Sequence, residues 1–260
     1  MPNQEMALNS RPKRGQLEME FRSRHGGKRP GAGRKRVAPR PRVPHRKRLP
    51  LASRFPVHVT VRLVAGLPRL RGPGPARRLK EAFVRGCDKD VFRICQFSVQ
   101  GNHVHLVCEA RDSQALARGI QGWKICVARR LNDYWDRKGT LFDDRYHAVI
   151  LTTPRQTRNC LVYVLHNARR HGEAVPTVDV YSSAWYFDGW RTDRWRRGLD
   201  PPDNSHGRPV ARPTTWLLAT GWMASRCVSC GERMGLLRPE PFFGCSSCGA
   251  EPAGVERRAS

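Results

Sequence analysis

The segment from Phe92 to Ala110 constrains the fold most, because its pattern predicts two β-strands joined by a short turn. Residues 92–100 and 102–110 are both typical of strands. Gly101-Asn102 between them favours a tight hairpin, which makes the two strands antiparallel neighbours. The turn therefore fixes where the second strand begins.

Two histidines lie at the start of that second strand. Side chains alternate between the faces of a strand, so His103 and His105 share one face, while Val104 and Leu106 point into a core. Two neighbouring imidazoles favour binding of a divalent metal. The alternative is that both are ordinary polar residues on the solvent side of a sheet.

A helix is predicted between Thr153 and Gly172. The sequence Thr-Pro-Arg-Gln from residue 153 fits a cap, a first-turn proline and a capping box, and Gly172 fits a left-handed stop. Tyr163 lies opposite the apolar stripe of this helix, and Asn167 stands one turn further along the same face. Alternatively, Tyr163 is a plain surface or half-buried tyrosine.

The remaining patterns predict two further strands and two further helices. The element order βαββαβα indicates an α+β protein with a ferredoxin-like βαββαβ antiparallel sheet and an extra C-terminal helix, which carries Tyr163. The sequence leaves open whether that helix packs on its own sheet or on a partner's. The predicted strands are His58–Val64, Phe92–Gln100, Asn102–Ala110 and Leu141–Thr152, and the helices before Tyr163 are Ala76–Cys87 and one capped at Asp112 or Ser113 and ending near Arg137.

Four segments in this order carry a resemblance to a known family: Pro56–Thr60, Gly101–Val107, Phe142–His147 and Leu161–Gly172. A His-hydrophobic-His strand followed by a helix with Tyr-x-x-x-Asn resembles the single-tyrosine HUH transposases, an insertion-sequence transposase family. Within them it is most similar to the REP-associated tyrosine transposases of bacteria. The resemblance covers about residues 54–172, under half of the chain.

The resemblance implies a metal-dependent transposase that nicks and rejoins single-stranded or hairpin DNA. Tyr163 would be the nucleophile and would form a 5′-phosphotyrosine, and His103, His105 and Asn167 would bind the ion. This neutral ligand set favours Mg²⁺ or Mn²⁺ bridged to phosphate. The active protein would be a monomer or a homodimer. Alternatively, His147 is a substitute ligand or Tyr146 a substitute nucleophile, although we expect a structural or DNA-backbone role here.

Charge supports a nucleic-acid partner. The chain has 48 Lys and Arg against 22 Asp and Glu, a net charge of +26, which predicts attraction to a polyanion. It contains neither a long apolar run nor an apolar signal-peptide core at its N-terminus, so we expect a cytoplasmic, nucleoid-associated bacterial protein.

Four regions are predicted along the chain. Residues 1–53 form a disordered basic arm, 54–172 the HUH transposase domain, 173–222 an Arg- and Trp-rich segment, and 223–260 a zinc ribbon or disordered tail. The third region either clamps single-stranded bases or wraps the domain through its tryptophans. Candidate DNA-binding residues are Lys28, Arg29, Arg34, Lys35, Arg36, Lys124, Arg129, Arg145, His147 and Arg170.

The C-terminal region contains two C-x2-C pairs. Cys227 and Cys230 with Cys245 and Cys248 are spaced as in a four-thiolate Zn²⁺ site, although fortuitous cysteines in a decayed tail are the alternative. Rival interpretations of the whole chain are a domesticated, non-catalytic DNA-binding protein, a relaxase or replication initiator, and a purely structural zinc-ribbon protein.

Overall fold

The computed structural model describes residues 50–170, 172–173, 175, 178–192, 200–202, 204–205, 207–225 and 237. Within these residues the strands form one antiparallel sheet, and their bounds are β1 Val57–Arg62, β2 Asp88–Lys89, β3 Phe92–Val99, β4 His103–Ala110 and β5 His147–Ile150. The spatial order is β2-β3-β4-β1-β5. This arrangement confirms the predicted α+β, ferredoxin-like fold, to which the two-residue β2 adds an edge.

The helices are α1 Pro73–Gly86, α2 Ser113–Tyr134, α3 Pro154–Leu165, α4 Asn167–Arg170 and α5 Trp216–Ala219, with short 3-10 helices at Ser183–Tyr186 and Gly221–Ala224. The Asp112 carboxylate caps α2, accepting from the backbone N–H groups of Gln114 and Ala115 at 2.9 and 2.8 Å. The helix ends before the predicted Arg137 because Asp136 takes a left-handed conformation, with φ of 44°.

The two faces of the sheet pack into different hydrophobic cores. Val59 of β1 and Leu106 of β4 are fully buried and pack with Phe83 of α1 and Trp123 of α2 in one core. The opposite face carries Val107 into a second core with α3. Strand alternation therefore directs Val57, Val59 and Val61 of β1 and Val104 and Leu106 of β4 to α1 and α2, and it directs Val107 and the histidines of both strands to the α3 side.

The last strand is shorter than predicted. The sequence favours a strand from Leu141 to Thr152, but pairing covers only His147–Ile150. Leu141 and Phe142 are buried in the α1/α2 core, and Phe142 forms an isolated bridge to Leu63. The chain between this bridge and β5 leaves the sheet, with the Asp144 carboxylate accepting from its neighbour's backbone N–H at 2.7 Å.

Helix α3 begins as predicted but does not run unbroken to Gly172. The Thr153 hydroxyl accepts from the Gln156 N–H at 3.2 Å, whereas the Gln156 side chain accepts from Thr152 instead of closing the capping box on Thr153. At His166 (φ −109°, ψ 9°) the helix breaks, and α4 follows. Gly172 has φ of 74°, the left-handed conformation expected of a glycine stop.

Across the described ranges, which omit residues 1–49 and most of those after 225, no helix is long and apolar enough to cross a membrane.

Candidate active site

The hairpin between β3 and β4 fixes the position of the histidine pair. The Gln100 N–H donates to the His103 carbonyl at 2.8 Å across the turn. Both turn carbonyls are also used: Gly101 accepts from Leu70 N–H at 2.8 Å and Asn102 from Leu63 N–H at 2.9 Å. The chain that follows β1 therefore anchors the turn that starts β4.

The two imidazoles meet through their Nε2 atoms. His103 Nε2 and His105 Nε2 are 3.0 Å apart, with the rings nearly perpendicular at 88°. His103 is half-buried at the rim, whereas His105 is only 4% exposed. The pair thus presents two ring nitrogens to a single point, as the sequence predicts for one strand face.

Hydrogen bonds on the far side of each ring set this orientation. His103 Nδ1 lies 2.8 Å from Asn102 Oδ1, and a carboxamide oxygen can only accept, so Nδ1 donates. His105 Nδ1 lies 3.1 Å from the Thr60 hydroxyl oxygen and 3.1 Å from His58 Nε2. The tautomer in which His105 also donates from Nδ1, to Thr60 or His58, would leave both Nε2 atoms with a lone pair for an electrophile.

His58 forms the inner wall of the site. Its ring stacks on His105 with centroids 5.2 Å apart, and it meets the Tyr163 ring edge-on at 5.8 Å. Burial, and then the nearby His147, lower the pKa of the His58 imidazole from 6.5 to about 4. His58 is therefore neutral at pH 7, and its Nε2 is able to accept from His105.

Tyr163 reaches the histidine pair of its own chain. Its phenol oxygen lies 3.4 Å from His105 Nε2, and the two rings are edge-to-face with centroids 5.1 Å apart. The tyrosine is half-buried. On the other side of α3, Leu161 and Val164 are fully buried. In this single chain, α3 packs on the sheet of its own chain.

Asn167, the third predicted metal ligand, has an unusual environment. It is 1% exposed, yet neither its Oδ1 nor its Nδ2 has a hydrogen-bond partner among the described residues. A buried amide without partners is costly and calls for an explanation. It follows directly on the helix break at His166, so its side chain is not placed by simple helical spacing from Tyr163.

These residues fit a divalent ion. The two Nε2 atoms, 3.0 Å apart, are close enough together to bind one ion. The orphaned carboxamide oxygen of Asn167 is a suitable third donor by its chemistry. In the part of the chain that is described, three or more His, Cys, Asp or Glu residues never come together as a metal-binding group.

Among the predicted DNA-binding residues that the structure describes, His147 lies on the same face of the sheet as the histidine pair. It is exposed on β5 and pairs with Thr60, whose other neighbour on β4 is His105, so all three share one row of the sheet. Tyr146 points into the opposite, α1/α2 core, away from the histidines.

Lys124 and Arg129 lie on α2, on the other side of the sheet from the histidine pair. The Lys124 ammonium donates to the Asp144 carbonyl at 3.2 Å, and burial lowers its pKa. Arg145 is half-buried in the loop before β5. The following candidates fall outside the described residues, Arg170 by its side chain only: Lys28, Arg29, Arg34, Lys35, Arg36, Arg170, Cys227, Cys230, Cys245 and Cys248.

His58, Thr60 and Arg62 of β1 have no role among the sequence predictions. Their alternation on β1 was visible, and the antiparallel β1–β4 pairing of the predicted topology would have set Thr60 opposite His105 and Arg62 opposite His103. Arg62 is exposed beside His103 and brings a guanidinium to the rim of the site. These three positions could therefore have been found from the strand register, which a sequence motif does not contain.

Comparison with known proteins gives three results. Residues 56–167 match the family model described as "Transposase IS200 like". One similar solved structure, described as a REP-associated tyrosine transposase bound to a REP hairpin, has 16% sequence identity and a TM-score of 0.47, and the match covers 64% of this chain and 98% of that one. No curated protein matches the chain.

Proposed function

We propose that this chain, whose residues 56–167 match the model of the IS200-like transposase family, cuts and rejoins single-stranded DNA through a covalent bond to Tyr163. The family match agrees with the resemblance to insertion-sequence transposases on which the sequence prediction was based, and it supports a DNA-cleaving and strand-transferring activity. The metal dependence, the single-stranded substrate, its hairpin form and the residue roles that follow are our proposal.

One observation carries the proposal: the Tyr163 phenol oxygen lies 3.4 Å from His105 Nε2, which itself lies 3.0 Å from His103 Nε2. The proposed nucleophile, Tyr163, and the proposed metal-binding pair, His103 and His105, are thus close enough to contact the same phosphate group. Tyr163 is half-buried, so its ring is held by contacts with His58 and His105 while its oxygen can meet a substrate.

In the forward step the Tyr163 oxygen forms a bond to phosphorus, and the bond from phosphorus to the 3′ oxygen of the preceding nucleotide breaks. The phenol proton passes to water, and the departing 3′ oxygen takes a proton from water. The product is a 5′-phosphotyrosine and a free 3′-hydroxyl. Because water has not attacked phosphorus, the ester remains activated, and a 3′-hydroxyl reverses the step on the same or another strand.

His103, His105 and Asn167 are the residues that would hold a divalent ion. When bound, such an ion supplies Lewis acidity to the scissile phosphate and favours the phenolate form of the tyrosine. Asn102 and Thr60 keep the Nε2 atoms of the two histidines available by accepting from Nδ1. Arg62, exposed at the rim, is placed to contact a neighbouring phosphate.

The basic regions outside the site extend this proposal. With a net charge of +26, the chain attracts DNA at long range, and we propose that the arm of residues 1–53 binds phosphates without sequence preference. Cys227, Cys230, Cys245 and Cys248 would bind a structural Zn²⁺.

The test is mass spectrometry of the trapped adduct. The full chain is incubated with a hairpin oligonucleotide that carries single-stranded flanks, with and without Mn²⁺, and the SDS-resistant complex is digested. We expect a nucleotide-modified peptide containing Tyr163, formed only with the metal. Tyr163→Phe should abolish it and leave hairpin affinity within about twofold, and Tyr146→Phe, which alters a core tyrosine, should retain it.

Two results would contradict the proposal. An adduct on another tyrosine would remove Tyr163 from the nucleophile role. Absence of any adduct from the wild-type protein, with hairpin binding intact, would favour a non-catalytic DNA-binding protein.

A further inference from the structure

Glu109 has an unusual environment on the strand that carries the histidine pair. It is 3% exposed and lies four residues beyond His105, on the same face of β4. Its Oε1 accepts from Thr215 N–H at 2.9 Å and from the Thr215 hydroxyl at 2.8 Å. Its Oε2 accepts from Thr214 N–H at 2.9 Å and from the Thr214 hydroxyl at 2.8 Å. One buried carboxylate therefore binds two consecutive residues that are more than a hundred positions away in the chain.

The residues held by Glu109 begin a segment that covers the tyrosine helix. We name residues 214–225 the C-terminal strap; it contains α5 and the 3-10 helix Gly221–Ala224. Leu218 and Trp222 of the strap pack in one buried cluster with Leu161 and Val164 of α3. The Arg158 guanidinium of α3 lies 5.8 Å over the Trp222 ring. The strap thus lies against the apolar side of the helix whose other side carries Tyr163.

The strap has little regular structure to hold itself in place. Its two helices have four residues each, too short to be stable without tertiary contacts. Besides the Glu109 bonds, the Arg93 guanidinium donates to the Thr214 hydroxyl at 3.1 Å. Just before the strap, Ala211 N–H donates to the Ile94 carbonyl at 2.9 Å. The polar anchors therefore gather at its start, and charged acceptors make the strongest hydrogen bonds among them.

We infer that Glu109 is a positioning residue for the cleavage reaction: by fixing the start of the C-terminal strap, it holds α3 against its own sheet and keeps Tyr163 aimed at the histidine pair. This inference rests on the proposed role of Tyr163. Glu109 reaches the reaction only through the strap and α3, since its carboxylate is occupied by Thr214 and Thr215.

The expected effect is on the covalent step and not on DNA binding. A displacement of about 1 Å at a reacting group lowers a rate by roughly a hundredfold. Glu109→Gln replaces one acceptor oxygen by an NH₂ group that faces N–H and hydroxyl donors, and Glu109→Ala removes both acceptors. We expect the first-order rate of adduct formation at saturating hairpin to fall by roughly a hundredfold in Glu109→Ala and less in Glu109→Gln, with the hairpin Kd changed by less than about twofold.

Hydrogen exchange of the full chain, followed by mass spectrometry, tests the structural link without any DNA or metal. In Glu109→Gln, peptides from the strap and from α3 should exchange roughly tenfold faster, while peptides from β1 and β4 keep their wild-type rates. Glu81→Gln is the matched control, because it removes a carboxylate that pairs with Arg78 and Arg130 on the α1/α2 side. It should change neither α3 exchange nor the adduct rate.

Wild-type exchange in α3 of the Glu109→Gln protein would overturn the inference, as would equal acceleration in β1 and β4, which would mean general destabilisation. A hairpin Kd that weakens together with the adduct rate would also overturn it. If the Glu109 variants do not fold, the double variant Thr214→Val and Thr215→Val removes only the two hydroxyl donors and should show the same pattern in weaker form. If wild-type protein forms no adduct, the proposed function fails, while the exchange experiment still decides the role of Glu109.

Discussion

Replacing Asn167 by leucine should make the metal-free protein more stable, although most core substitutions destabilise. Asn167 is 1% exposed, and both of its polar side-chain atoms lack a partner. A buried polar group left unsatisfied costs about 1–3 kcal/mol, and leucine has nearly the same shape without that cost. We therefore expect Asn167→Leu to raise the free energy of unfolding by about 1–3 kcal/mol, with Tm rising about 2–4 °C for each kcal/mol.

The same substitution should abolish the response to metal. An ion that binds only the folded protein stabilises it by about 2.7 kcal/mol at a hundred times its Kd. The wild type should show such a gain with Mn²⁺, and Asn167→Leu should lose most of it together with adduct formation. The assay is urea unfolding of both proteins in chelator and in Mn²⁺, beside a gel assay for the covalent complex.

Asn132→Leu provides the matched control. Its amide donates to the Gly139 carbonyl at 2.9 Å and its oxygen accepts from Arg137, so this asparagine is satisfied and its replacement should destabilise by about 1 kcal/mol. If Asn167→Leu were destabilised in chelator as Asn132→Leu is, the Asn167 amide would have a structural partner and the reasoning would be refuted. An undiminished response to Mn²⁺ would refute its role as a ligand.

Three further predictions concern the face of the sheet around the histidines. His103→Ala and His105→Ala should both lose metal-dependent cleavage while remaining folded. His105→Ala should lower the free energy of unfolding by about 1–3 kcal/mol more than His103→Ala, because it leaves buried hydrogen-bonding groups of the site without a partner. Urea unfolding measures the difference. The lowered pKa of His58, about 4, means that the unfolded chain takes a proton near pH 6.5 before the folded one does, so stability in chelator should fall by at most about 3 kcal/mol as the pH drops from 6.5 to 4; His58→Gln should remove this loss in unfolding curves. Arg62→Gln should reduce the slope of log binding constant against log salt by about 1, whereas Arg118→Gln, exposed on α2, should leave it unchanged in filter-binding titrations.

The sheet and its two faces could be predicted because they depend on local rules. Alternation along β4 places His103 and His105 on one face, and the short turn at Gly101 sets where the strand begins. The cap of α3 at Thr153 follows from side-chain chemistry within four residues. Each of these features is decided by neighbours in the sequence, so no knowledge of the tertiary structure was needed.

What could not be predicted depends on contacts between distant segments. The packing of Tyr163 against its own His105 requires the direction of α3, which is set by apolar contacts with residues as distant as Trp222. The break at His166 has no proline or glycine to announce it, and the buried His166 ring lies edge-on to Trp190 at 5.6 Å. Glu109 and Thr214 show no pattern at all until the fold brings them together.

The surroundings of the histidine pair suit a phosphate, because the one carboxylate on this face of β4, that of Glu109, is buried and held by hydrogen bonds. Phosphate carries negative charge, so a free carboxylate on β4 would repel DNA and compete for the ion. Glu109 is the acid on the His103/His105 side of that strand, and Thr214 and Thr215 occupy both of its oxygens beneath the strap. Imidazoles bind a metal in their neutral form, so an ion held by His103, His105 and Asn167 would keep its full charge for the substrate. The same carboxylate that we propose secures the strap is thereby kept away from the surface that we propose meets DNA.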